Sequence, residues 1–222
     1  MGVPTTDLWP RLAPLLARVE RPARYLDHEW GAARKEEAAL SFCMVYPDTY
    51  ELGQANQAVR ILVNAVNATE GLAAERAFLP AADLIDLMRA EGLPLFSLEG
   101  CAPVAEFDVV GITQPNELAA TNVLEVLDLA GIPLRAADRA EDDPIVLGGG
   151  PCAFNPEPYA PFFDAITIGE GEEATPEALA RIRELRAAGA SRAAILRALA
   201  AIPGTYVPSL YRWRSEAEAQ EA

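Results

Sequence analysis

Phe42-Cys43-Met44-Val45-Tyr46-Pro47-Asp48-Thr49-Tyr50-Glu51-Leu52-Gly53 is the stretch whose reading decides the fold. An apolar run too short for a buried helix stops at Pro47, crosses an acidic turn, and reaches Gly53 just before an amphipathic segment. The order is strand, loop, helix. In an open parallel sheet the carboxyl end of such a strand faces the ligand crevice, which places residues 47–53 where function usually sits.

Working outward, Ala58, Ile61, Leu62, Ala65 and Val66 recur at helical spacing and give one buried face, with Asn64 and Asn67 outside it. A weak second strand is expected near Ala74–Leu79, and Asp83 is a candidate cap for a helix using Leu84, Leu87 and Met88 that ends at Gly92. Leu93-Pro94-Leu95-Phe96-Ser97 is a candidate short strand. Asp108–Thr113 reads as a buried strand, followed by a helix capped by Asn116 and stopped at Gly131. Pro144–Leu147 runs into Gly148-Gly149-Gly150, and Ala165–Ile168 runs into Gly169-Glu170-Gly171-Glu172. Thr175-Pro176 reads as a cap with proline in the first helical position, and Ser191 as the cap of a further helix closed by Pro203-Gly204.

Strands alternating with helices at this spacing imply right-handed β-α-β units. The expected fold is α/β: flavodoxin-like, three-layered, with a five-stranded parallel sheet over residues 41–210. Residues 1–40 form an N-terminal helical appendage, in which Pro10 and Pro14 are expected to divide the Leu8–Val19 region into two short pieces. Residues 211–222 are expected to be a frayed tail.

The totals exclude some classes of function. With 18 basic and 33 acidic residues the 222-residue chain carries a formal charge of -15, which argues against direct gripping of a nucleic-acid backbone. Cys43, Cys101 and Cys152 are too dispersed for a zinc or iron–sulfur spacing and are expected to be reduced thiols. No basic-then-apolar leader opens the chain and no apolar run reaches membrane-spanning length, so a cytoplasmic protein with no membrane partner is expected.

Four stretches together carry a family resemblance: Pro47–Gly53, Gly92–Glu99, Leu127–Arg135 and Gly149–Pro158. They resemble the N-terminal region of a family of radical S-adenosylmethionine proteins with a cobalamin-binding-like domain, and the likeness extends over most of residues 10–210. The resemblance implies a front module followed by a radical barrel holding an iron–sulfur cluster and S-adenosylmethionine on C-x-x-x-C-x-x-C. This chain has no such motif, so it is expected not to be catalytic alone and to work with a barrel in cis or as a separate chain. The Asp48-x-Tyr50-x-x-Gly53 loop is similar to D-x-H-x-x-G, by which related domains offer an imidazole to cobalt. Tyr50 stands at the histidine position, as is usual for this family, and a neutral phenol is a poor ligand there. The implied cofactor is cobalamin without a histidine ligand.

Each candidate site residue has two readings. Asp48, Tyr50 and Gly53 either meet a corrin face or side arm, or form a loop in which Asp48 caps, Tyr50 packs and Gly53 admits a close helix. Gly148, Gly149 and Gly150 either let a flat ligand approach the backbone, with Thr113 near the same channel, or make a tight turn. Gly169 and Gly171 belong to a G-E-G-E turn resembling one in radical enzymes, where helix capping or contact with a downstream domain is expected. His28 reads as a solvated surface histidine and Cys152 as a buried structural thiol. Two functions stay open: a corrinoid carrier, in which the loop after the first strand and the triple glycine share a pocket lip, or a degenerate domain that binds no cofactor and docks the barrel or recognises its substrate. A Rossmann-type nucleotide binder is disfavoured, because no G-x-G-x-x-G opens the first helix.

Overall fold

In the computed structural model, residues 2–27, 32 and 34–212 are described. His28 and the end of the tail lie outside them. The elements run α1 (Trp9–Leu16), β1 (Leu40–Tyr46), α2 (Tyr50–Ala55), α3 (Gln57–Ala68), β2 (Leu72–Phe78), α4 (Ala82–Glu91), β3 (Val109–Thr113), α5 (Ala120–Ala130), β4 (Ile145–Gly149), β5 (Ala165–Thr167), α6 (Gly171–Ala187), α7 (Arg192–Leu199) and β6 (Thr205–Tyr206), with several short 3-10 turns between them.

The sheet order is β2-β1-β3-β4-β5-β6. Every pairing is parallel except β5 with β6. This is the flavodoxin-like arrangement expected from the sequence, extended by one antiparallel edge strand of two residues. Strand alternation sorts the core into two layers. Phe42 and Met44 of β1 and Leu147 of β4 join α3, α6 and α7 on one face. Cys43, Val45, Val110, Ile112, Val146 and Ile166 join α5 and the 93–107 segment on the other.

Four local expectations are corrected. Gly53 lies inside α2, and the helix face begins afresh at α3 because the Asn56 side chain accepts from the Ala58 N–H and caps it. Leu93–Ser97 forms no strand: Pro94 interrupts it, the chain reverses at Cys101 with φ +48°, and the single bridge is Phe96 to Pro103. α6 begins at Gly171, so Pro176 falls inside the helix instead of at its first position. The Leu8–Val19 region holds one helix, since Pro10 sits in the first turn where its missing N–H costs nothing. Leu12, Leu15 and Leu16 of that helix pack with Leu84 and Met88 of α4, and Arg24 donates to Glu51 at 2.8 Å, which seats the appendage at the β2 side of the domain.

β2 is an edge strand that buries Glu75 and Arg76. Gly100 N–H donates to Glu75 and Arg76 Nε to Glu99, while the Asn67 side chain bonds both the N–H and the carbonyl of Ala74. Leu98 N–H donates to the Arg76 carbonyl and the Arg76 N–H to Glu99. Among the described residues no helix is long and apolar enough to cross a membrane.

Candidate functional site

β1, β3, β4 and β5 deliver residues of one parity to the face beneath α3, and at the carboxyl end of the sheet that face is left partly unfilled. A cavity of about 380 Å³ results. Its floor is Phe42, Met44, Gly111, Leu147 and Gly149, its roof is Ala58, Ile61 and Leu62 of α3, and the start of α6 closes one side. Apolar walls with a few convergent polar groups are the usual make-up of a small-molecule pocket, and this volume falls within the usual range.

Glycine makes the space, and neighbouring glycines do so differently. A Cβ on Gly111 would stand 2.5 Å from the Phe42 ring, so the ring lies directly over the bare backbone. A Cβ on Gly149 would meet only the Thr167 carbonyl, at 3.9 Å, and would otherwise project into the cavity. Gly148 has the opposite parity: its Cβ would strike Phe163 at 2.9 Å, on the other face of the sheet. Gly150 turns the chain at φ +103° against the Thr113 hydroxyl and the Gln114 backbone, a conformation that favours glycine.

Of the nine residues singled out from the sequence, Thr113, Gly148, Gly149, Gly150, Gly169 and Gly171 line this one cavity. Asp48, Tyr50 and Gly53 do not. Their loop is drawn towards β2, where Leu79 N–H donates to the Asp48 carbonyl at 3.1 Å and Tyr50 packs edge-on against Phe78 with ring centroids 5.5 Å apart. A Cβ on Gly53 would stand 2.4 Å from the same Phe78 ring. Both turns lie at the carboxyl rim, but they share no lip.

Sequence reasoning missed the α3 roof as a cavity wall, and also Phe154 and Thr175. The bare spots at Gly111 and Gly149, on consecutive strands that are adjacent in the sheet, were the available signal. The polar groups are the hydroxyls of Thr113, Thr167 and Thr175 and the carboxylates of Glu170 and Glu172, and among the described residues no lysine, arginine or histidine lines the cavity. The rim carries exposed apolar side chains: Leu118 is 91% and Phe154 77% exposed, and Leu52 and Ile61 are also open.

None of the three thiols is activated. Burial pushes Cys43 well up, Cys101 up to about 12, and Cys152 upward as well. Among the described residues no group of three or more His, Cys, Asp or Glu side chains is arranged to hold a metal ion.

A family model described as radical SAM proteins, N-terminal, matches residues 58–208, more than half of the chain. The match takes in the whole glycine-lined part of the cavity and begins just after the Tyr50 loop. Comparisons with curated proteins and with solved structures found no match.

Proposed function

Because the chain belongs to the family of N-terminal domains of radical SAM proteins, we propose that it is the cofactor-binding module of a radical SAM enzyme, holding a corrinoid without a histidine on the metal. The observation that carries this reading is the glycine-floored cavity beneath α3, where Thr113, Gly149 and Gly150 converge. The cavity beneath α3 suits a flat end of such a group, while the Asp48–Gly53 loop, expected to share its lip, packs on Phe78 instead. The open space over Gly149 admits a flat heterocycle against the backbone, Phe42, Met44 and Leu62 offer it apolar surface, and the threonine hydroxyls can bond its edges.

When bound, a corrinoid supplies methyl transfer or another radical step, carried out with the barrel. The chain's own part is to bind, orient and exclude water: α3 roofs the pocket, and the Gly150 turn adds no side chain of its own to the mouth. Tyr50, packed on Phe78, holds the loop after β1 in place.

Gly149→Val tests the reading. The new Cβ meets nothing closer than the Thr167 carbonyl, at 3.9 Å, and the side chain projects into the cavity. After mixing with hydroxocobalamin and removal of free ligand, the wild-type chain is expected to retain corrin absorbance and the variant to lose it, with unchanged circular dichroism. No retention by the wild type at high concentration rejects the carrier reading.

That result would favour the second reading, a domain that binds no cofactor and docks the barrel. The exposed Phe154 of the cavity lining and the exposed Leu118 in the turn after β3 support it.

A further inference from the structure

We infer that the cavity is charge-selective: it takes the uncharged or cationic end of a planar heterocycle and turns away one that brings a phosphate monoester to the same mouth, with Glu170 and Glu172 setting the selection. The inference rests on the cavity being a ligand site, as proposed above, and adds which class of ligand enters.

In doubly wound folds the turn from a parallel strand into a helix is where phosphate is usually held, because free N–H groups and the helix dipole favour an anion. The turn from β5 through Gly169-Glu170-Gly171 into the 17-residue α6 has that form. Gly169 lies at φ +120° with nothing within 4 Å of a Cβ, and Gly171 abuts Leu62 of α3, so the helix start stands on the cavity wall. Yet the position before the helix is Glu170, and its first turn carries Glu172 and Glu173. These negative charges in the first turn suit the helix dipole, and Glu170 and Glu172 bring them to the cavity lining.

The rest of the cavity offers no compensation. Among the described residues its walls carry no basic side chain, and the chain as a whole is at -15. A dianionic phosphate arriving there would gain no ion pair from the described lining and would meet the carboxylates of Glu170 and Glu172. The remaining polar groups, the hydroxyls of Thr113, Thr167 and Thr175, donate or accept equally well and suit the neutral edge of a ring.

Riboflavin and flavin mononucleotide test this, since they share one planar ring system and differ by a phosphate. In equilibrium dialysis against the full chain at low salt, riboflavin is expected to bind at least ~10-fold more tightly, the scale of repulsion between a dianion and two nearby carboxylates in a solvated site. The ratio should shrink towards one in the Glu170→Gln/Glu172→Gln double variant, and also at about 0.5 M salt, where screening acts over a few ångströms. Equal or tighter binding of the phosphorylated flavin by the wild type overturns the inference, as does a ratio unchanged in the double variant. Retention of hydroxocobalamin but of neither flavin overturns it while leaving the corrinoid reading intact. If Gly149→Val retains either flavin as well as the wild type does, or if no probe binds at all, the cavity itself is not the site and both readings fall.

Discussion

At the amino end of the sheet Asp108 and Asp164 lie buried immediately before β3 and β5, whereas at the carboxyl end the neighbouring strands β3 and β4 run out into Thr113 and the glycines. Asp108 accepts from Ser41 N–H and Oγ and from Arg186 of α6 at 2.6 Å. Asp164 accepts from Val146 N–H, from Arg139 at 2.8 Å and from Arg192 of α7 at 2.7 Å. Each carboxylate thus bolts a helix to the start of a strand. Burial draws the Arg139 guanidinium below its ordinary range even with Asp164 beside it. The cavity at the other end has no ion pair among its walls and leaves Gly149 uncovered. Fixation is concentrated at one rim and access at the other, the division expected when a parallel sheet presents its carboxyl end to a ligand.

The comparison can be broken most directly at Asp164. Asp164→Ala leaves two buried arginines without the carboxylate they share, and should cost about 3–5 kcal/mol, read as a large fall in the urea midpoint. A variant near wild-type stability would remove the contrast between the rims.

The adjacent glycines sharpen it within one strand. Gly148→Ala pushes a methyl into Phe163 and is expected to cost about 1–3 kcal/mol by overpacking. Gly149→Val, one residue on and facing the cavity, should change thermal stability by less than about 1 kcal/mol, because a β-branched residue suits a strand and nothing obstructs it. Reversed magnitudes would mean that the cavity lies on the other face.

The smallest effect belongs to the appendage. Arg24, donating to Glu51, holds that carboxyl below its ordinary 4.5. Because the folded value is the lower one, the contact contributes above the unfolded pKa and is lost as pH falls through the folded value. A small melting-temperature deficit of Glu51→Gln at neutral pH should therefore shrink progressively as the pH is taken down through and below the ordinary carboxylate range. A deficit unchanged at acid pH would show that the contact works through packing.

The parallel sheet was legible because β1, β3, β4 and β5 are nearly pure apolar runs, and Gly92 and Gly131 end α4 and α5 in the left-handed conformation that their place in the sequence implies. β2 read weakly, because Glu75 and Arg76 break its apolar pattern, and the partners that make their burial tolerable, Gly100, Glu99 and Gln54, come from elsewhere in the chain. β6 escaped notice because two residues carry no period. At the site, the triple glycine marked the right rim, but parity could not be assigned to each glycine without the register of β4 against β3 and β5. The loop after β1 was drawn to the wrong neighbour for the same kind of reason: Phe78, which holds Tyr50 and lies over Gly53, is 25 or more residues away in sequence.

The dressing of β2 by Asn67, Leu98 and Glu99 has a consequence for assembly. The outward-facing amides and carbonyls of Ala74 and Arg76 are already satisfied within the chain, so that margin offers no template on which a neighbouring polypeptide could zip up. Growth of the sheet by a visiting strand is confined to the opposite margin, where β6 presents two residues, too brief a ladder to seed a fibril or hold a swapped copy.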